Sequence, residues 1–164
     1  MTLKQVDLVF HRVNDALTQG NDANMFVTCW MGIIDLKNGE VQYANAGHNA
    51  PVIYRKNTKK WEYLAQSKDL VLAGLEGIKY RAQSIKLEPG DKIFLYTDGV
   101  TEATNKNNEL YSENRLQTYL SKSKATDLHK LLDGVQKDIE KFVDGADQFD
   151  DITMLVFEYK NNKK

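Results

Sequence analysis

The chain has 164 residues, 41% of them hydrophobic and 27% charged, the make-up of a protein with its own apolar core. Its formal net charge of −1 gives no electrostatic reason to expect nucleic acid or an anionic membrane as a partner. No apolar run approaches the roughly 18 residues of a membrane span, and a single cysteine, Cys29, excludes an internal disulfide and a multi-cysteine metal site.

The first 19 residues are amphipathic and contain acidic side chains, unlike a signal peptide. With the lone cysteine inside an apolar run, this points to the cytoplasm. Leu3, Val6, Val9, Phe10, Val13 and Leu17 recur at helical spacing and predict a helix over 3–18 with that face inward. Residues 25–35, MFVTCWMGIID, are almost continuously apolar and predict a strand buried on both faces. Asn38-Gly39 signals a two-residue hairpin into a return strand over 41–47. Past Pro51, VIYRK and KWEYLA predict a strand pair, and residues 79–87 alternate as a half-buried strand does. Pro89-Gly90-Asp91 turns the chain into KIFLYT, 92–97.

Helical spacing then returns. Ser112 is the expected N-cap of a short helix holding Leu116, Tyr119 and Leu120. A longer helix beginning at Ala125 or Thr126 presents Leu128, Leu131, Leu132, Val135, Ile139 and Phe142 on one face. Residues 151–159, DITMLVFEY, predict a final buried strand, and 160–164 a frayed tail. Strands and helices that occur in runs, without regular alternation, predict an α+β fold in one domain over 1–164.

Two strands meet carboxylates at one end. Asp98-Gly99 follows KIFLYT, and Asp147, Asp150 and Asp151 precede ITMLVF. Asp-Gly alone reads as an ordinary turn, and FDDIT alone as a solvated acidic turn. If the two strands are antiparallel neighbours, however, Asp98 and Asp150 converge, and converging carboxylates repel unless protonated or bridged by a cation. Oxygen donors without a Cys or His cluster favour Mg²⁺ or Mn²⁺. A third stretch, YANAGHNAPVIY, places Gly47, His48 and Asn49 where a strand meets Pro51. His48 has no second His or Cys at ligand spacing, which suits a structural or solvated histidine, while backbone amides around Gly47 could line a phosphate pocket.

MFVTCWMGIIDLKNGEVQYANAGHNAP, LEPGDKIFLYTDGVTEATN, NELYSENRL and FDDITMLVFEY occur in this order. Together they resemble the bacterial stage II sporulation protein E phosphatases, a group that includes the sigma-B regulator phosphatases within the PPM (protein phosphatase 2C-like) superfamily. The resemblance runs from about residue 8 to 159. It implies an α-β-β-α sandwich of two antiparallel sheets, a binuclear Mn²⁺ or Mg²⁺ centre, and hydrolysis of phosphoserine or phosphothreonine on a protein. By motif match it implies Asp98 and Asp150 as metal ligands, with Asp151 second in rank; Asp147 and Gly99, which lie close to them in sequence, are further candidates. The implied substrate is a phosphorylated regulatory protein of the anti-anti-sigma type.

One feature of the family is missing. Its Asp-Val-x-Gly-His/Lys-Gly segment, whose Asp bridges the metals, does not occur before Phe26. The chain is therefore expected to be the C-terminal majority of a longer phosphatase, inactive or nearly so by itself. The alternative is a short, metal-poor homologue that binds partners without catalysis, but retention of Asp98 and Asp150 favours the first. Sheet edges left uncovered are expected to pair two copies of the chain.

Overall fold

The computed structural model describes residues 6–148 and 150–160, so Leu3 of the first expected helix and residues 161–164 of the expected tail lie outside it. Its elements are α1 (Val6–Thr18), β1 (Cys29–Ile34), β2 (Glu40–Ala46), β3 (Val52–Arg55), β4 (Lys60–Tyr63), β5 (Gln83–Lys86), β6 (Lys92–Tyr96), α2 (Asp98–Thr101), α3 (Ser112–Lys122), α4 (Leu128–Val143) and β7 (Met154–Glu158). The class is α+β with two antiparallel sheets, as the succession of strands and helices predicts. The described chain divides into two compact units, one of residues 6–48, 65–89 and 159–160, the other of 49–64, 90–148 and 150–158.

The first unit is built on a three-stranded sheet in the order β1-β2-β5, with α1 against β2. Phe10 and Tyr80 meet edge to face, and with Val6, Ala44, Ala46 and Leu72 they form its core. The expected inward face of α1 is corrected here. Val6, Phe10 and Asn14 are buried at four-residue intervals, while Val9, Val13 and Leu17 are exposed. Asn14 displaces the valines because its side chain satisfies a whole loop. It donates to the carbonyl of Leu75 at 2.9 Å, and accepts from the amide of Ala73 at 3.1 Å and the hydroxyl of Tyr80 at 3.0 Å.

The strand expected over 25–35 is likewise corrected. β1 is a sheet edge, shorter than the apolar run and not buried on both faces, and Met25, Phe26 and Val27 before it are exposed. The turn at Asn38-Gly39 is longer than two residues, closing between Asp35 and Glu40. The alternation over 79–87 yields a strand only at Gln83–Lys86.

The second unit is a four-stranded sheet in the order β4-β3-β6-β7. One face of this sheet, carrying Val52, Trp61, Phe94 and Tyr96, packs with Leu116 and Leu120 of α3 and Leu131, Val135 and Ile139 of α4. The apolar stripe expected on the longer helix is thus its inward face. Its N-cap is Asp127, whose carboxylate accepts from the amide of Lys130. Ser112 is not the expected cap. It is the first residue of α3, with φ of 70°, and Tyr111 precedes it without a side-chain capping bond. β7 is an edge strand whose Leu155 is exposed, so the final strand is half-buried where full burial was expected.

Candidate metal site at the end of two strands

β6 and β7 are antiparallel neighbours, in register from Lys92 opposite Glu158 to Tyr96 opposite Met154. The apolar residues alternating along both strands leave one register that buries Phe94 and Tyr96 under the helices. That register places the residues after Tyr96 beside those before Met154, where both segments carry their carboxylates.

Thr97 locks the junction. Its amide donates to the Thr153 carbonyl at 3.0 Å, its hydroxyl donates to the Asp151 carbonyl at 2.9 Å, and the same hydroxyl accepts from the Thr153 amide at 3.0 Å. Asp98 then opens the single turn α2, its carbonyl receiving the amide of Glu102 at 2.8 Å and the hydroxyl of Thr101 at 3.3 Å. Gly99 is buried with its α-carbon against the other segment. A Cβ there would collide with the Asp151 carbonyl oxygen and lie 3.3 Å from that of Asp150.

The carboxylate of Asp98 accepts from the amide of Gly99 at 3.1 Å, and that of Asp150 from the amide of Asp151 at 2.7 Å. The side-chain amide of Gln148 donates to the Asp150 carbonyl at 2.7 Å. Among the described residues neither carboxylate has an ion-pair partner, and both are within reach of solvent. Unpaired carboxylates at adjacent strand ends suit a hard divalent cation in kind. In number they fall short, since no group of three or more His, Cys, Asp or Glu among the described residues could hold a metal. Asp147 and Asp150 border a small recess of about 150 Å³ with Glu102, Glu140 and Gln148, over an apolar floor that includes Ile139 and Ile152.

The sequence motif at Gly47, His48 and Asn49 spans the passage from one unit to the other. In the first unit, Gly47 has a φ of 73°, and a Cβ would lie 2.6 Å from Cγ1 of Val71, so only glycine fits. The buried Asn45 clamps this turn: its carboxamide oxygen accepts from the His48 amide at 2.7 Å, and its nitrogen donates to the His48 carbonyl at 2.9 Å. The His48 amide is thereby committed to Asn45, and the His48 ring meets the Thr28 hydroxyl at 3.2 Å. In the second unit, Asn49 donates to the Thr101 hydroxyl at 3.4 Å, which ties it to the turn that carries Asp98. Close by, burial pushes the pKa of the Tyr96 hydroxyl up to about 12.

Thr97 and Thr101 in the second unit, and Asn45 at the Gly47 turn of the first, are residues that sequence reasoning passed over. The available signal was a hydroxyl or amide beside each motif glycine or aspartate, which in isolation reads as turn chemistry.

Residues 2–160 match the family model described as Stage II sporulation protein E (SpoIIE). The chain is 31% identical over 144 residues to Protein IcfG of Synechocystis sp., covering 88% of this chain and 22% of that protein. It is 28% identical over 152 residues to the phosphoserine phosphatase RsbU of Bacillus subtilis, covering 93% of this chain and 44% of that protein. The chain therefore spans less than half the length of either relative. The manganese-presoaked phosphatase domain of the cell fate determinant SpoIIE from Bacillus subtilis has the same fold, with a TM-score of 0.72 and 16% identity, over 99% of this chain and 73% of that one.

Proposed function

The chain belongs to the stage II sporulation protein E family, and from that premise we propose that it is the Asp98- and Asp150-bearing part of a metal-dependent protein serine/threonine phosphatase. The observation that carries this reading is the pairing of β6 with β7, which brings two unpaired acidic segments to one place and holds them through Thr97. Asp98 and Asp150 would hold Mn²⁺ or Mg²⁺, with Asp151, Asp147 and the backbone at Gly99 around them. Bound divalent ions supply a nucleophile at neutral pH and neutralise phosphate charge.

The chain's own residues position and orient. Thr97 fixes the spacing of the acidic segments, and Thr101 with Glu102 fixes the carbonyl of Asp98 and hence the direction of its side chain. The Asn49 carboxamide links the HNAP motif to that turn. The substrate we infer is a phosphorylated regulatory protein of the anti-anti-sigma type, with a small α/β fold. RsbU, a phosphoserine phosphatase by name, supports the class of reaction.

For residues 1–164 alone we infer little or no turnover and weak metal binding, because two carboxylates leave most of a coordination shell to water. The test is Mn²⁺-dependent phosphate release from a phosphoserine protein, measured for the full gene product and for residues 1–164 side by side. Turnover by the full product that Asp98→Asn abolishes is the expected result. Binding of the phosphoprotein without turnover, unchanged by Asp98→Asn, would replace the enzyme with a non-catalytic switch module.

A further inference from the structure

A recess of about 390 Å³ opens in the second unit at the far end of β6 from Asp98. Its floor is one continuous row across the sheet, in which Trp61 faces Tyr54, Tyr54 faces Lys92 and Lys92 faces Glu158. The next row, containing Val52, Phe94 and Val156, lies under the helices. α4 reaches the recess only through Leu131 in its first turn. The connection between α3 and α4 supplies the wall, with Lys124 and Thr126, and Lys56 flanks the row just past β3.

The charges here are uneven. Lys92 is only 13% exposed and Glu158 only 21%, and they pair at 3.2 Å. The Lys92 ammonium also lies over the Tyr54 ring, 4.9 Å from its centre. An apolar pair would serve stability at such a place at least as well, since desolvating two charges costs as much as their attraction returns. Lys56 and Lys124 have no ion-pair partner among the described residues. Three lysines and one glutamate thus line the recess, together with Thr126.

We propose that this recess is a binding site for a small phosphate monoester, its dianion held between Lys56, Lys92 and Lys124. The surplus of lysines over carboxylates and the concave volume together carry the assignment. The volume lies in the range of small-molecule sites, roughly 300–1,000 Å³, and a concave site of this size suits a compact ester better than a protein surface. The recess is separate from the candidate metal site. Five residues of near-extended chain lie between Lys92 and Asp98, which puts the two roughly 20 Å apart at strand rise. Through β6 a ligand here would touch the strand that positions Asp98, so the site is placed to regulate and not to react.

The test is titration of isotope-labelled chain, in chelator and without added metal, with inorganic phosphate, adenosine monophosphate and a phosphoserine peptide, followed by amide chemical shifts. Saturable shifts at residues 123–126 and around Lys56, tighter for adenosine monophosphate than for inorganic phosphate, are expected. The double variant Lys56→Ala/Lys124→Ala should weaken binding by about tenfold or more, Glu158→Gln should tighten it, and Lys137→Ala, on the exposed part of α4, should leave it unchanged. Lys56 and Lys124 are exposed, so the double variant should melt with the parent. Absence of saturable shifts at those amides, or shifts indifferent to the double variant, would overturn the proposal. A phosphoserine peptide binding more tightly than the nucleotide would overturn its small-molecule form.

Discussion

Gly99 is the residue on which the two acidic segments rest, and Gly99→Ala tests whether their packing sets the site. The added methyl has nowhere to go. It would sit 2.9 Å from the carbonyl carbon of Asp151 and 3.3 Å from the carbonyl oxygen of Asp150, and both are backbone atoms that cannot rotate aside. Relief requires the Asp150–Asp151 segment to move off the end of β6, against the bonds that Thr97 makes to Asp151 and Thr153. Overpacking of this kind costs about 1–3 kcal/mol. Alanine returns up to about 1 kcal/mol of helix preference in α2, so the net loss spans about 0–3 kcal/mol, and the middle of that range, about 1–2 kcal/mol, is expected. For a chain of this length that lowers Tm by roughly 2–8 °C, read by calorimetry. Mn²⁺ affinity, measured by titration calorimetry on the same sample, should fall as well, because the displaced segment carries Asp150. A variant that melts with the parent and binds Mn²⁺ equally well would refute the argument that this contact holds the carboxylates together.

Asn14→Ala should destabilise the first unit by about 1–3 kcal/mol, because the buried Tyr80 hydroxyl and the half-buried Ala73 amide lose the partner that the buried Asn14 side chain gives them; amide exchange over residues 71–80 should accelerate more than exchange in β6. Asp15 and Asp127 are held below the usual carboxylate range, chiefly by the amide of Gly77 and the amide of Lys130 respectively. Depressed carboxylates stabilise fully above the unfolded value, about pH 4, and that contribution disappears as pH falls through the lower folded values. Asp127→Asn retains a capping oxygen that does not titrate, so its helical circular dichroism should be less acid-sensitive than the parent's. Exposed Met25 and Phe26 before β1, an edge strand of its sheet among the described residues, should make residues 1–164 self-associate; light scattering that gives a clean monomer at high concentration would count against it.

The features legible in the sequence are those set by alternation and spacing. KIFLYT and ITMLVF are legible as strands with carboxylates at one end, so that, once the two are antiparallel neighbours, as they are here, Asp98 must lie beside the 150–151 segment. The stripe of α4 was legible for the same reason. What was not legible depends on polar side chains that satisfy distant backbone. Val9, Val13 and Leu17 look as apolar as Val6 and Phe10, and the choice between the two faces of α1 falls to Asn14, whose partners lie about 60 residues away. Ser112 has the composition of a cap, but its positive φ makes it part of a tight entry beneath Tyr111. Thr97 is the clearest case. Its position at a strand end predicts a turn, yet its hydroxyl spends both its donor and an acceptor on the opposing segment, which makes it a cross-strand clamp. For the proposed metal site, the carboxylates stand out by their charge, while the packing of the segments that carry them is set by neutral residues. Asn49, Thr97, Gly99 and Thr101 are therefore the positions at which this site can be loosened without removing a carboxylate.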